Sequence, residues 1–513
     1  MAVEFSLAKN GEETCSLNGL FFHSGYNPQR EGAAFVQEIS ADFHPSVIIV
    51  ISPALGYCAQ PLRQRFPGAK LVAMEFTEEF SKVKSLFDEY FVINGENSRE
   101  VCQKIFFSLG EEKIFLSLPV VWGPSGKIFA EKIQAFIPHL RQLYEMTKTA
   151  VATRANFTEV WLKNSFKFFM NVKRVILPQK TDLPVLIVAS GVTLEKSLEE
   201  IRRYEKSFFV IALSSAVEVL LTNGIRPDLI FTTDGGFWAK MHLNPKIILE
   251  KQIPVAMSCE AAVFGDLRDK GMILPLNYGD DCCELFETTD FPHVRALRNG
   301  TVSGTALDFA LKVSSASVFI CGLDLSEENY RGKNGVPSHA LPNILEAQNQ
   351  MGDNRLQPLS TRLYASSVGS GLSLEIYAQW FDGLGEREKS RIVRIKSGKD
   401  KFFRHIPNIK EENWEDFGKK PFGSNGEKGN LFSSPQKIDR KKVIQGLWDF
   451  LKKGEGAFLK AEQGMELTEE EMRRLSSVDY GLSLQLKKSG TKSDGTPRGK
   501  SLIGKLKRET EKF

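Results

Sequence analysis

The sequence predicts an α/β fold, because short apolar segments of high β-propensity alternate with segments of helical periodicity. In residues 185–200 an apolar run is followed by a turn, and Leu194, Leu198 and Ile201 then recur at helical spacing. The same succession occurs earlier in "SVIIVISPALGYCAQPLRQRF" and "KLVAMEF". Such alternation is typical of doubly wound parallel sheets. A chain of 513 residues is too long for one ordinary core, so two such domains, joined by a helical connector and followed by a small helical C-terminal region, are expected.

Composition and charge exclude several classes of protein. The chain is 42% hydrophobic, carries a net charge of +4 and has seven cysteines without a CxxC pair. These values argue against a general nucleic-acid binder and against a zinc site, and they favour a reducing compartment with free thiols. The opening "MAVEFSLAKNGEE" carries acids where a signal peptide needs a basic and then an apolar stretch. We therefore expect a cytoplasmic protein that does not span a membrane.

The first domain is predicted over residues 1–138 and is Rossmann-like. Its first strand is followed by the turn Ser52-Pro53-Ala54-Leu55-Gly56, and Glu75 ends the next strand. In dinucleotide-binding proteins such a turn is rich in glycine, and an acid on the next strand holds ribose. Here one glycine is present and Pro53 removes an amide donor. The domain is therefore expected to be a scaffold that has lost cofactor binding or never had it.

Three further regions follow along the chain. Residues 139–180 read as a helical connector, and residues 181–400 as a second parallel-sheet domain with strands at 185–189, 208–213, 229–233, 255–258 and 317–321. Residues 401–513 are predicted to hold a linker, helices and a flexible basic tail. From Leu484 onward there are nine Lys or Arg against three acids. The tail is expected to aid solubility, with contact to an acidic partner or an anionic lipid surface as the alternative.

Small polar residues follow the predicted strands of the second domain. Ligands of open parallel sheets bind at the carboxyl ends of the strands, where these residues would converge. The candidates are Gly191 and Thr193, Ser214 and Ser215, Asp234 and Gly235, Ser303, Gly304 and Thr305, Asp324, and a polar loop with Tyr330, Arg331 and His339. The pattern predicts a site for a phosphate or a nucleotide.

The segments "NGIRPDLIFTTD" and "NGTVSGTALDFALKVSSASVFICGLDL", with a following loop histidine, carry a family resemblance. They resemble the motility-associated factor (Maf) glycosyltransferases, whose central domain is shared with MptE-like 6-hydroxymethylpterin diphosphokinases and is similar to bacterial sialyltransferases. The opening "NGLFFHSGYNPQREG" is also similar to that family. The resemblance therefore covers most of the chain, from this opening to about residue 400. It implies transfer of a nonulosonic acid from a CMP-sugar donor to Ser or Thr hydroxyls of flagellin. One departure is that the family turn Gly-x-Gly-Pro-Ser-Leu is replaced by residues 189–194, Ala-Ser-Gly-Val-Thr-Leu.

Glycosyl transfer requires stabilisation of a departing phosphate and removal of a proton from the acceptor hydroxyl. Within this resemblance His339 is the expected general base, and Tyr330 or Arg331 would add a donor or a positive charge. The donors to the phosphate would come from helix N-termini at Thr193 and Thr305 and from Ser214 or Ser215. No cofactor beyond the CMP-sugar is expected.

Asp234 and Asp324 leave alternatives open. They could bind ribose, cap helices or bind a metal ion. In a pterin diphosphokinase they would hold Mg²⁺ for ATP, whereas a sialyltransferase-like enzyme needs no metal at its nucleotide site. Besides the glycosyltransferase and the diphosphokinase, a third possible function for the whole protein is a non-catalytic scaffold or chaperone for flagellin.

Overall fold

The computed structural model describes residues 3–95, 97–279, 283–298, 300–325, 378, 380–381, 384–397, 403–418, 428–489 and 498–512. The chain forms two compact units. The first unit comprises Met1–Asn156, Lys460–Thr468 and Asp479–Pro497. The second unit comprises Phe157–Leu459, Glu469–Val478 and Arg498–Phe513.

The first unit contains a small antiparallel sheet and a parallel sheet. The antiparallel strands, in the order β1-β2-β3, are β1 (Glu4–Leu7), β2 (Glu13–Leu17) and β3 (Leu20–Phe21). The parallel strands are β4 (Val47–Ile51), β5 (Lys70–Glu75), β6 (Glu89–Val92) and β7 (Ser117–Val121). Their order is β6-β5-β4-β7. All five residues of β4 are buried, which explains its uninterrupted apolar sequence.

Short helices flank the parallel sheet of the first unit. They are α1 (Pro28–Glu38), α2 (Ala59–Arg65), α3 (Ser98–Leu109), α4 (Glu111–Phe115) and α5 (Gly123–Ile128), with a 3₁₀ helix at Glu78–Leu86. Helix α6 (Ala130–Asn171) follows and is 42 residues long. It covers most of the expected connector and begins before Pro138, which lies inside it.

The second unit is built on an eleven-stranded sheet with the strand order β17-β16-β15-β9-β10-β11-β12-β13-β8-β18, in which β14 pairs with β13. Its strands are β8 (Arg174–Val175), β9 (Val185–Val188), β10 (Phe209–Leu213), β11 (Leu229–Thr232), β12 (Val255–Ser258), β13 (Ile273–Asn277), β14 (Val294–Arg295), β15 (Val318–Cys321), β16 (Ile392–Ile395), β17 (Lys410–Glu412) and β18 (Gln436–Lys437). All pairings are parallel except that of β18 with β8. The predicted fold class is confirmed, and β9, β10, β11, β12 and β15 lie within one residue of their predicted bounds.

Helices on the second sheet cover its apolar strands. They are α7 (Leu198–Tyr204), α8 (Val217–Thr222), α9 (Phe237–Met241), α10 (Pro245–Glu250), α11 (Gly265–Lys270), α12 (Glu284–Thr288) and α13 (Val302–Val313), with 3₁₀ turns at Val192–Lys196, Glu205–Ser207 and Ser214–Ala216. Helix α13 packs on β9, β10, β11 and β15 through buried residues that include Leu307, Phe309 and Ala310.

The C-terminal region is helical where the structure describes it. Its helices are Glu386–Lys389, Trp414–Gly418, Arg440–Glu462, Glu469–Val478, Tyr480–Ser489 and Arg498–Thr510. The expected flexible basic tail therefore needs correction over Arg498–Thr510. Leu502, Ile503 and Leu506 are buried there, so an apolar stripe holds this basic segment as a helix.

Every helix in the described part of the chain is too short or too polar to cross a lipid bilayer.

Candidate functional site

The strand order of the second unit reverses between β9 and β15, and the position outside the carboxyl ends of these two strands is here termed the crevice. From β9 the chain adds β10, β11, β12 and β13 on one side, and it then returns to the other side of β9 to form β15. Ligands of open parallel sheets bind where the strand order reverses in this way, outside the carboxyl ends of the strands. The loops that follow β9 and β15 are therefore the natural place for a ligand.

The loops after β9 and β15 lie in direct backbone contact. The amide of Ala189 donates to the carbonyl of Cys321 over 2.8 Å, and that of Gly191 donates to the carbonyl of Gly322 over 2.7 Å. A Cβ atom on Gly191 would lie 2.4 Å from the Asp324 carboxylate. Gly322 has a φ of +71° and leaves equally little room beside Ala189. Both glycines are thus required by this close approach.

Asp324 and Thr193 form a buried pair across the crevice. Each is 2% exposed, and the Thr193 amide donates to Asp324 Oδ2 over 2.9 Å. The Thr193 hydroxyl donates to Asp324 Oδ1. The carboxylate thus caps the 3₁₀ turn Val192–Lys196. The Thr193 donors predicted to serve a phosphate are already used within the protein.

Arg394 supports the loop that carries Asp324. It is fully buried on β16, and its guanidinium donates to the carbonyls of Leu323 and Arg404, each over 2.7 Å. It also contacts Glu411 over 3.0 Å. Burial lowers the pKa of Arg394 to about 10, while the charges of Glu411 and Asp324 act in the opposite direction. The signal for this residue was present in the sequence, since a single arginine interrupts the otherwise apolar strand "IVRI".

A pair of serine hydroxyls joins the ends of β9 and β10. Ser190 Oγ donates to Ser215 Oγ over 2.7 Å, and both side chains are half-buried. Ser214 is buried beside them in the turn Ser214–Ala216. Ser215 thus lies at the predicted edge of the sheet, where a hydroxyl can reach a ligand.

The N-terminus of α13 is capped by Thr301, which is not among the predicted site residues. Its hydroxyl accepts from the Gly304 amide over 3.0 Å and from the Ser303 hydroxyl over 3.2 Å. Thr305 is 1% exposed, and its hydroxyl donates to the carbonyl of Leu297 over 2.9 Å. Thr305 therefore maintains the fold of this loop, and Ser303 and Gly304 lie in the first turn of α13.

The loop after β11 carries the predicted residues Asp234 and Gly235. Asp234 is exposed and accepts from the Gly236 amide over 2.7 Å. Gly235 packs against Trp161 so closely that a Cβ atom would lie 2.5 Å from the indole ring. Burial lowers the pKa of His242, the C-cap residue of α9, and the charge of Asp234 opposes that shift.

An ion pair between Glu260 and Arg298, here termed the Glu260–Arg298 bridge, was not predicted from the sequence. Both guanidinium nitrogens of Arg298 donate to the Glu260 carboxylate over 2.8 Å, and Glu260 is 2% exposed. The guanidinium carbon lies 4.3 Å from the ring centre of Tyr278 and 5.5 Å from that of Trp161. Asn164 donates to the carbonyl of Glu260 over 2.9 Å. The bridge joins the loop after β12 to the segment that leads into α13.

The sequence signal for this bridge was weak but present. Glu260 lies two residues after β12, the strand that the sequence predicted at 255–258. A pattern of small polar residues at strand ends does not include a glutamate. Tyr330, Arg331 and His339 lie outside the described residues.

The corresponding turn of the first unit is closed by side chains of the unit itself. Glu75 accepts from the Ala54 amide over 2.5 Å and from the Ser52 hydroxyl over 2.9 Å. His23 Nε2 accepts from the Leu55 amide over 2.9 Å. Burial raises the pKa of Glu75 to about 7 and lowers that of His23 to about 3. The amides and the acid that would serve a nucleotide in such a turn bind one another here.

Comparison with known proteins agrees with this architecture. Residues 159–330 match the family model described as 6-hydroxymethylpterin diphosphokinase MptE-like. The solved structure of the Maf glycosyltransferase from Magnetospirillum magneticum AMB-1 aligns with 99% of this chain and 86% of that one, at 12% identity and a TM-score of 0.51.

Two uncharacterized proteins of Treponema pallidum (strain Nichols) are also similar. One is 30% identical over 306 residues, which are 59% of this chain and 64% of that protein. The other is 23% identical over 129 residues, which are 23% of this chain and 61% of that protein. The chain thus spans less than two thirds of the length of either relative. The resemblance inferred from the sequence is confirmed: the chain has the fold of a Maf glycosyltransferase and carries an MptE-like segment over residues 159–330.

Proposed function

We propose that this protein is a glycosyltransferase that binds a nucleotide sugar outside the carboxyl ends of β9 and β15. The observation that carries the proposal is the reversal of strand order between β9 and β15, within a fold that aligns over 99% of the chain with a Maf glycosyltransferase. Half-buried hydroxyls and a helix N-terminus lie at the same edge of the sheet. Neutral donors of this kind stabilise a departing phosphate.

The donor that we propose is a CMP-activated nonulosonic acid, and the proposed acceptors are Ser or Thr hydroxyls of flagellin. The motifs of the sequence support this choice, since they resemble the Maf family. In this proposal Ser215 and Ser303 contact the nucleotide phosphate through their hydroxyls, and Gly304, whose amide donates to Thr301, shapes the start of α13 beside them. Asp324 and Thr193 hold the crevice in shape, because their polar atoms are bonded to each other.

The nucleotide-binding step is tested by calorimetry with CMP and ATP, each with and without Mg²⁺. We expect CMP to bind without Mg²⁺. Ser215→Ala should weaken CMP binding by about 5–10-fold, the value of one hydrogen bond of about 1 kcal/mol. Ser390→Ala is the matched control. Ser390 is exposed, and within the described chain its hydroxyl donates to the carbonyl of Arg387.

The transfer step depends on His339, with Tyr330 or Arg331 as the further donor. We expect His339→Ala to lower transfer by about 10²–10⁴-fold and to leave CMP affinity nearly unchanged, since a general base acts on the acceptor proton. The pH profile of the wild type should show a group that must lose a proton, near the histidine reference of about 6.5. Full transfer activity in the variant would assign the base to another residue.

A second candidate function is supported by the MptE-like match itself. A pterin diphosphokinase would bind ATP with Mg²⁺, held by Asp234 and Asp324. Asp324 is buried, and its carboxylate accepts hydrogen bonds from the Thr193 amide and hydroxyl, which makes it a poor metal ligand in this conformation. Binding of ATP alone, dependent on Mg²⁺, would favour the diphosphokinase over the glycosyltransferase.

A further inference from the structure

Two buried cysteines of the second unit lie in contact beside the Glu260–Arg298 bridge. Cys259 Sγ lies 3.8 Å from Cys283 Sγ, and neither residue is exposed. Cys259 follows β12 and directly precedes Glu260, whereas Cys283 directly precedes α12. The Ser165 hydroxyl donates to Cys259 Sγ over 3.3 Å.

We propose that Cys259 and Cys283 form a reversible intramolecular disulfide whose oxidant is a low-molecular-weight disulfide. A sulfur–sulfur bond is about 2.05 Å long, so the two sulfurs must approach by about 2 Å. An approach of that size requires a small movement of the loop after β12 or of the start of α12, which is a helix of five residues.

The chemistry is two successive thiol–disulfide exchanges. One cysteine thiolate attacks the oxidant, a mixed disulfide forms, and the first half of the oxidant leaves as a thiolate. The second cysteine thiolate attacks the protein sulfur of the mixed disulfide and expels the other half. The two protons of the cysteine thiols pass to the two released thiolates. Two thiols are oxidised to one disulfide, and one disulfide of the oxidant is reduced to two thiols.

The bond would act on the candidate site through the backbone. Glu260 is the residue after Cys259, and its carboxylate holds Arg298 while its carbonyl accepts from Asn164. Because the bonds are bidentate and the Glu260 carboxylate is buried, a shift of Cys259 alters their geometry. Disulfide formation therefore loosens the segment around Glu260.

The test is carried out on the full chain with oxidised glutathione. The reduced protein is incubated with the oxidant, denatured, alkylated and mapped by mass spectrometry. We expect loss of two alkylation sites, a peptide that joins Cys259 to Cys283, and full reversal by dithiothreitol. Since both sulfurs are buried, the exchange needs local opening and should be slow. Cys321, which is equally buried, should remain a free thiol during oxidation and should therefore be alkylated after denaturation.

Neighbouring variants distinguish the pair from other thiols. Cys282→Ser is the matched control and should form the same cross-link, whereas Cys283→Ser should form none. If Cys283→Ser does not fold, the wild-type peptide map alone decides. Hydrogen exchange of the segment around Glu260 should show a loss of protection after oxidation. A cross-link through Cys282, a stable mixed disulfide with glutathione, or two unchanged thiols would overturn the proposal.

Discussion

The turn after β4 in the first unit and the turn after β9 in the second unit differ in how their polar groups are hydrogen-bonded. Each follows a buried central strand of a parallel sheet, and each is closed by a buried carboxylate, Glu75 in the first and Asp324 in the second. In the first unit His23 takes a second amide, from Leu55. In the second unit the half-buried Ser190 and Ser215 remain at the edge of the sheet. An acid near such a turn therefore does not by itself indicate a ribose contact, because it can replace the ligand.

Backbone geometry separates the two turns as well. In the first unit Ser52 and Ala54 adopt φ angles of 52° and 51°, which are rare for residues with a side chain. In the second unit Gly191 and Gly322 allow the loops to touch. Glu75 thus stabilises an uncommon backbone conformation. Asp324 instead stabilises the contact between the loops after β9 and β15, which Gly191 and Gly322 make possible. Three substitutions sharpen this contrast.

The largest effect is expected from Asp324→Ala. The substitution leaves the buried amide and hydroxyl of Thr193 without their acceptor, and a lost charged hydrogen-bond partner costs about 2–3 kcal/mol. We expect a corresponding loss of stability in the second unit, seen as faster hydrogen exchange around Thr193. Unchanged exchange there would mean that the Asp324–Thr193 pair does not brace the crevice.

A smaller effect is expected from Gly191→Ala. The new methyl group would meet the Asp324 carboxylate at 2.4 Å and the Gly322 carbonyl at 2.5 Å, and overpacking of this kind costs about 1–3 kcal/mol. The measurement is thermal unfolding together with CMP affinity. Gly265→Ala is the matched control, since a Cβ atom there meets nothing within 4 Å. Equal behaviour of the two variants would contradict the close approach of the loops.

The third prediction concerns pH and the first unit. The pKa of buried Glu75 is raised from its ordinary value near 4.5 to about 7, so its stabilising contribution is full below pH 4.5 and is lost as the pH rises through about 7. Glu75→Gln removes this titration. The stability of the wild type relative to Glu75→Gln should therefore fall between pH 5 and pH 8.

Hydrogen exchange of peptides from the first unit is the suitable measurement, because a chain of two units has no single unfolding free energy. The comparison between wild type and variant also cancels the opposite contribution of His23, whose lowered pKa costs stability as the pH falls below its ordinary value near 6.5. A difference that stays constant with pH would show that Glu75 does not titrate in this range.

Much of the second unit could be predicted because its strands are short apolar runs bounded by polar turns. β9, β10, β11, β12 and β15 were located this way, and the small polar residues at their ends lie at one edge of the sheet, as parallel strands require. The helix at Arg498–Thr510 was missed, because its basic composition hid the buried Leu502, Ile503 and Leu506. Composition averages over both faces of a helix, whereas burial depends on one face.

The local elements follow from the sequence, since propensity and periodicity act between residues that are neighbours along the chain. The pairing of buried polar groups depends on tertiary contacts between residues that are distant along the chain. Thr193 and Asp324 are 131 positions apart, and Glu260 and Arg298 are 38 positions apart. No local pattern couples such residues. Their pairing follows from the order of the strands, which brings distant loops to the same edge, and from the cost of burying a charge or a donor without a partner.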